Sequence, residues 1–343
     1  MCSPHYYAGL DLHKKTIVFC VKQADGTLVE EGTIRAVKPE LERWLCERDT
    51  RCVVALEATM FTGWVYDVLV SHEVETHVGH PYMLRAIAAA KKKNDKVDAR
   101  MLADLLRCDL FPSCYMAPEK LRELRRVMRY RNFLVRESVR MQTKTAGLLM
   151  EVGAEYNKKK LKGRKYFTQL VNELTQVPES VRRLLRLSHD TMEAFERHQQ
   201  WMVDELARHP DLCERVERLM TIDGVGVVTA LTWALEIGPP SRFASIGNAV
   251  SYCGLCSAQR ESAGVAHRGP ISKQRNKHLQ RVLVEAAKLA PRWNAHLAGV
   301  YDKERERGAD HNQATLTVAR KLVAYLLAVD RSGKVFEQRK EAA

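Results

Sequence analysis

The stretch YYAGLDLHKKTIVFCVK, residues 6–22, decides the fold. Two β-rich runs, Tyr6–Leu12 and Thr16–Lys22, flank the polar link His13-Lys14-Lys15. Asp25-Gly26 marks a turn before a third run, Thr27–Ile34, so the three read as a meander. Further out, Cys52–Leu56 (CVVAL) has the unbroken apolarity of a buried strand. Helical patterns cover Pro39–Glu47, Phe61–Ser71 and Pro81–Ala90, with a strand expected over Val74–Val78. A hairpin-opened sheet continued by strand–helix alternation predicts a mixed α/β layer design.

The whole chain has 343 residues, 45% hydrophobic and 28% charged, which suits about two domain-lengths with a real core and excludes wholesale disorder. Lys and Arg number 55 against 42 Asp and Glu, a net charge of +13 that points to a polyanionic partner, chiefly nucleic acid. No apolar run approaches the roughly 18 residues of a membrane span. Nine cysteines, an odd number without a framework, suit a reducing compartment. The expectation is a soluble, cytoplasmic bacterial protein associated with the nucleoid.

The surplus is concentrated. From Glu119 to Lys165 there are fifteen Lys or Arg against five Asp or Glu. Leu121, Leu124, Met128, Leu134, Val135 and Met141 add a partial apolar stripe at helical spacing. A second helical pattern, Glu179–Arg208, carries Leu184, Leu187, Phe195, Met202 and Leu206. Two such helices predict a helical hairpin or coiled-coil arm, with Arg125, Arg129, Arg136, Arg140 and Lys144 as candidate contacts to nucleic-acid backbone. From about Cys213 the chain turns mainly helical. Asp223-Gly224-Val225-Gly226-Val227 sits between two helical runs, fitting either a phosphate-binding turn or a tight packing turn. The segment 257–277 reads as a polar, basic loop. The division expected is 1–112, 113–212 and 213–343.

Four carboxylates stand out. Asp11 ends the first apolar run, where metal-dependent nucleases of the ribonuclease H type place a first ligand. Glu57 follows four or more apolar residues, a costly place for a charge unless it is paired or metal-bound. Asp95 and Asp98 lie three apart, about 5–6 Å between Cβ atoms if helical. Such a set suits hard, oxygen-liganded ions, chiefly Mg²⁺. Structural roles compete: a turn for Asp11, an N-cap for Asp95 and a helix-dipole partner for Asp98. Cys253 and Cys256 have zinc-like spacing without a second pair, and His72, His77 and His80 read as surface residues rather than ligands.

Gly9-Leu10-Asp11, Leu56-Glu57-Ala58-Thr59 and Asn94 through Arg100 resemble the DEDD blocks of insertion-sequence-110 family transposases, whose relatives include Piv-type invertases. Ile222 through Gly226, Phe243, Tyr252 through Leu255, and Ser272-Lys273 with Asn276 extend the resemblance through most of the chain, in order. The resemblance implies an amino-terminal RuvC-like domain, a coiled-coil arm and a carboxy-terminal transposase domain. It also implies donor and target DNA and an element-encoded bridge RNA as guide. The length of the arm and its apolar stripe predict, separately, a homo-oligomer, dimer or tetramer, formed through it. The resemblance further implies a serine nucleophile, which falls on Ser262; here Ala263 separates that serine from Gly264, so Ser257 and Ser272 remain rivals. Arg260, Arg268 and Lys273 are its basic neighbours in sequence. The function expected is RNA-guided cleavage and rejoining of DNA. A Piv-like invertase without a guide and a non-catalytic nucleic-acid-binding protein are the alternatives.

Overall fold

The computed structural model describes residues 6–47, 52–87, 94–262, 265–272 and 274–337, with backbone alone at 258–262 and 265–268. These form two compact units, residues 1–119 and 120–343. No helix among the described residues is long and apolar enough to cross a membrane.

The first unit runs β1 (Tyr6–Leu12), β2 (Thr16–Gln23), β3 (Leu28–Arg35), α1 (Lys38–Cys46), β4 (Cys52–Glu57), α2 (Thr62–Ser71), β5 (Thr76–Gly79), α3 (Pro81–Ile87) and α4 (Asp95–Arg107). Its five strands lie in the order β3-β2-β1-β4-β5. The expected meander forms β3-β2-β1, and β4 and β5 add in parallel beside β1. Strand β3 (LVEEGTIR) is charged and largely exposed, which blunts that edge against pairing with another chain.

Central β1 is covered on both faces, and its side chains divide by the two-residue period of a strand. Ala8, Leu10 and Leu12 join Leu41, Trp44, Val65 and Leu69 in the core beneath α1 and α2. On the other face Ala55 packs with Leu84, Leu102 and Leu105, and Val18 and Cys20 pack with Ala99. Gly9 lies under α4 there. A Cβ on Gly9 would stand 2.0 Å from the Ala99 carbonyl oxygen and 2.7 Å from the Ala103 nitrogen.

The second unit runs α5 (Glu119–Glu151), α6 (Arg164–Glu173), α7 (Glu179–Ala207), α8 (Cys213–Met220), α9 (Val227–Ile237), α10 (Ile246–Tyr252), β6 (Ser257–Ser262), β7 (Val265–Ile271), α11 (Lys277–Leu289), α12 (Ala295–Glu306) and α13 (His311–Ser332). Helix α9, buried from Thr229 to Ile237, is the axis of its main core. The 33-residue α5 is about 50 Å long at 1.5 Å per residue. Its start packs on that core through Met128, and its end joins α6 and the start of α7 in a small separate core of Leu149, Leu161, Phe167 and Leu185. Helix α7 returns to the main core through Val203 and Leu206, so α5 and α7 run antiparallel. Two expectations need correction here. Leu184 and Leu187 belong to no buried stripe and are 47% and 62% exposed, because Leu185, Ser188 and Met192 face inward instead. The segment after Cys256 is a β-hairpin rather than a loop.

Gly224, at φ 91°, has a backbone that disfavours a side chain, and a Cβ there would lie 2.6 Å from that of Ala290. The Gly-x-Gly turn is thus accounted for by packing. Two buried carboxylates tie the helices. Asp330 accepts from Arg215 twice at 2.7 Å and from the Trp233 indole at 2.9 Å. Glu236, 2% exposed, accepts from Arg129 at 2.7 and 2.8 Å and from Asn276 at 2.9 Å, joining α5, α9 and the cap of α11. Burial opposes ionisation of Glu236, but the Arg129 hydrogen bonds and charge outweigh it and hold its carboxyl below the ordinary range.

Gly9→Ala is expected to lower stability in urea unfolding by about 1–3 kcal/mol through overpacking. Gly147→Ala, where no atom lies within 4 Å of the added Cβ, should leave stability unchanged or raise it by up to about 1 kcal/mol in this helix interior. Glu236→Ala removes the shared acceptor of Arg129 and Asn276 and, because the Arg129 side chain is half-exposed, should cost about 1–3 kcal/mol. Because Glu236 is held ionised, its contribution is present above the ordinary Glu pKa of about 4.3 and is lost as pH falls through its lower folded value. Acid unfolding of Glu236→Gln should accordingly show a shallower pH dependence than wild type.

Candidate active site

Parallel register pairs Leu10 with Leu56, so Asp11 and Glu57 follow at neighbouring strand ends on the same face as Gly9 and Ala55. That face is the one α4 covers. Helix α4 starts beside them because Asn94 caps it, its side chain accepting from the Val97 N–H at 2.8 Å. Asp95 and Asp98 fall in the first turn, where the helix dipole favours negative charge.

His13, which the sequence pattern did not single out, completes the cluster. Its Nε2 lies 3.0 Å from Asp11 Oδ2 and 3.3 Å from Asp95 Oδ2, and the three ligand atoms fall within 4.8 Å of one another. The available signal was Asp11-x-His13, a spacing that keeps two side chains on one face of an extended segment. The Asp11 side chain is 14% exposed and that of Asp95 is 59% exposed. Burial pushes the Asp11 carboxyl above its ordinary value; the charge of His13 opposes this, and the charges of Asp98 and Asp95 add to it. The structure thus brings Asp11, Asp95 and Asp98 into one electrostatic group, with Glu57 half-buried at the adjoining strand end. Crowded carboxylates around a harder-to-ionise Asp11 form a donor set suited to a divalent cation, with oxygen ligands predominating. His189, Asp190 and Glu193 also converge on α7, but His189 is buried and stacked on Phe167 at 4.1 Å, which packing explains.

The carboxy-terminal candidates divide differently. Ser262 is the last residue of β6 and pairs with Val265. Its side chain and those of Arg260 and Arg268 lie outside the described residues, as does Lys273. Ser257 is exposed at the start of β6. The Ser272 hydroxyl accepts from the Gln274 N–H at 3.1 Å, closing a local turn. Cys253 is buried, and burial raises its thiol pKa, as expected of a structural cysteine.

On α5, Arg125 donates to the carbonyls of Leu235 and Glu236, and Arg129 grips the Glu236 carboxylate. Both guanidiniums hold the fold together. Arg136, Arg140 and Lys144 are exposed at intervals of four residues along one helix face, with Arg140 bonded to Glu137 at 2.9 Å. Glu236, deep within an apolar helix, gave no local sign of its partners 107 and 40 positions away.

Comparison with known proteins agrees with this organisation. Residues 8–153 match a transposase family of the DEDD, IS110 type, and residues 216–302 match the IS116/IS110/IS902 transposase family. The chain is 24% identical over 295 residues to the transposase for insertion sequence element IS1328 of Yersinia enterocolitica, covering 82% of each. It is 25% identical over 294 residues to a probable family 20 transposase of Pseudomonas aeruginosa, covering 83% of each. An uncharacterized 43.6 kDa protein of insertion element IS110 from Streptomyces coelicolor is 30% identical over 124 residues, 36% of this chain and 31% of that one. With its carboxylate corner inside one matched region and its buried helical core across the other, the chain belongs to the IS110 family of insertion-sequence transposases.

Proposed function

We propose that this transposase cleaves and rejoins DNA by a two-part chemistry, with Mg²⁺ held by Asp11, Glu57, Asp95 and Asp98 and with Ser262 as nucleophile, guided by a bridge RNA. The observation that carries the reading is the packing of α4 on Gly9, which gathers carboxylates from two chain segments beside the end of β1. The strand order, a meander extended by two parallel strands, supports a RuvC-like reading of residues 1–112. The long antiparallel pair α5 and α7 supports a coiled-coil arm within 113–212, followed by the transposase domain from 213. Exposed Leu184 and Leu187 on that arm support self-association as a dimer or tetramer. The guide RNA rests on the family resemblance.

Bound Mg²⁺ would stabilise charge on the oxygens of a phosphodiester undergoing displacement. The chain's own residues prepare that site. Asp11 and Asp95 place carboxylate oxygens close together, and His13 is hydrogen-bonded to Asp11 through Nε2, which lies 3.3 Å from Asp95 as well. In the serine step the Ser262 Oγ–phosphorus bond forms as one phosphorus–oxygen bond to the strand breaks. The serine hydroxyl proton is lost as that bond forms, one proton is gained by the departing strand oxygen, and rejoining reverses the exchange, so no redox partner is needed. Arg260, Arg268 and Lys273 would neutralise the phosphate, with Arg136, Arg140 and Lys144 holding backbone along the arm.

Asp11→Asn and Asp98→Ala should each abolish recombination and remove the rise in melting temperature that Mg²⁺ produces in wild type. Since burial and neighbouring acids raise the pKa of Asp11, wild type without metal loses stability as pH rises through that shifted value. Asp11→Asn without metal should therefore melt higher than wild type at pH 7. Retained recombination, or an unchanged Mg²⁺ response, would refute the metal assignment. Trapping covalent protein–DNA adducts and mapping the peptide by mass spectrometry should place the bond on Ser262. An adduct at Ser257 or Ser272 moves the role, and recombination without any adduct removes it.

A further inference from the structure

Four permanent cations face a single cavity in the second unit. Arg131 and Arg136 from α5, and Lys277 and Arg281 from α11, line a space of about 360 Å³ closed on its third side by α9. His278 joins them, and the one acid in the lining, Glu285, is already paired with Lys288 at 2.8 Å. Among the described residues no ion pair engages Arg136, Lys277 or Arg281. Arg131 donates from one terminal nitrogen to Asn132 at 3.2 Å, while its Nε is buried without a hydrogen-bond partner. Burial, and then the charge of Arg281, lower the Arg131 pKa.

A buried unpaired guanidinium nitrogen beside further like charges is costly, and an anion in the cavity would relieve both penalties. The lining also includes the aliphatic side chains of Val135, Val228 and Val282. A lining that combines cations with aliphatic side chains fits a phosphate carrying a nucleoside, and the volume lies in the range of small-ligand sites. A recess between three helices takes a unit splayed from a strand, whereas a base-paired duplex keeps its nucleosides stacked inside. The walls are held by the buried Glu236–Arg129–Asn276 clamp, which joins the same three helices.

We propose that this cavity seats one nucleotide of a single-stranded nucleic-acid segment, its phosphate between Arg131 and Arg281 and its nucleoside against the valines. The assignment rests on the reading of the chain as a nucleic-acid-processing transposase and adds where unpaired strand is held.

The test uses the full chain, fluorescent single-stranded 12-mers of DNA and RNA, and a duplex of the same sequence, titrated by anisotropy across salt. Arg131→Gln/Arg281→Gln should weaken binding of at least one single strand by about fivefold or more and reduce its log–log salt slope by about 0.7 for each phosphate no longer neutralised. Duplex binding should change less than about twofold. Val228→Trp, which fills the cavity and leaves its charge, should weaken the same strand, and Arg281→Lys should retain most of the affinity. Lys303→Gln, exposed on α12, should leave binding as in wild type. Melting curves accompany each variant, and only those matching wild type are scored. Unchanged single-strand affinity in the cavity variants, or equal losses on duplex and single strand, would overturn the proposal. So would adenosine monophosphate binding as tightly as the 12-mer, which would make the cavity a small-molecule site. Wild type that binds no nucleic acid overturns the transposase reading itself, whereas wild-type binding untouched by the variants overturns the cavity alone.

Discussion

The backbone of α4 approaches β1 so closely at Gly9 that any side chain there would meet the Ala99 carbonyl oxygen. That approach fixes where the first turn of α4 begins relative to the strand ends. Small residues make it feasible: Ala99 and Ala103 present the helix surface, and Ala55 continues the flat patch on the next strand. Asp95 and Asp98 are then carried to Asp11 by helix geometry rather than by a flexible loop. Asn94 stops the helix unravelling from that end, and the helix dipole offsets part of the repulsion among the acids. Apolar packing thus performs the positioning, and the polar groups need only be attached at the right places.

The second unit solves a charge problem of a different kind. A net +13 invites the view that every arginine awaits a polyanion, yet part of the surplus is structural. Glu236 and Asp330 are buried anions, and Arg129 and Arg215 are required to hold them ionised inside the fold. Arg125 meanwhile satisfies carbonyls at the end of α9. What remains outside is arranged rather than diffuse. Arg136, Arg140 and Lys144 form one exposed row, and Arg136 also turns toward the cavity shared with Arg131 and Arg281. One helix therefore carries both the clamp and the candidate nucleic-acid surface, separated by one or two turns.

Strands β1, β2 and β4 were legible to within a residue because short, mostly apolar runs bounded by polar links have few other folds available. The same holds for α7, which ends one residue short of the expectation. Asp11 and Glu57 were legible because a charge terminating an apolar run stands out locally. His13 was less so, since a histidine beside two lysines reads as a solvated link until α4 is laid across the strand. Glu236 was illegible: its partners are remote in sequence, and an isolated glutamate in an apolar helix gives no hint of them. The outward turn of Leu184 and Leu187 depended on which face α7 shows to α5 and α6, a tertiary choice that periodicity alone leaves open. The β6–β7 hairpin was hidden by polar, charged runs, SAQRES and VAHRGPI, that lack the apolar–polar alternation of a strand. Ser262 came from resemblance alone.

The carboxylate corner also has a direction. Asp11 is largely enclosed by sheet and helix, whereas Asp95 is mostly open to solvent, and His13 lies between them at 41% exposure. The buried side supplies rigidity and raises the cost of leaving Asp11 ionised; the open side is where a substrate oxygen can approach. Burial and like charge together make the ionised corner unfavourable by itself, and His13 compensates only in part. A divalent cation would reverse the sign of those interactions, turning mutual repulsion among the acids into shared attraction. Its binding free energy would then add to the stability of the layer that α4 and β1 form, because the ligands come from both. On this account the same close contact at Gly9 serves the fold and the chemistry, and neither can be altered without disturbing the other.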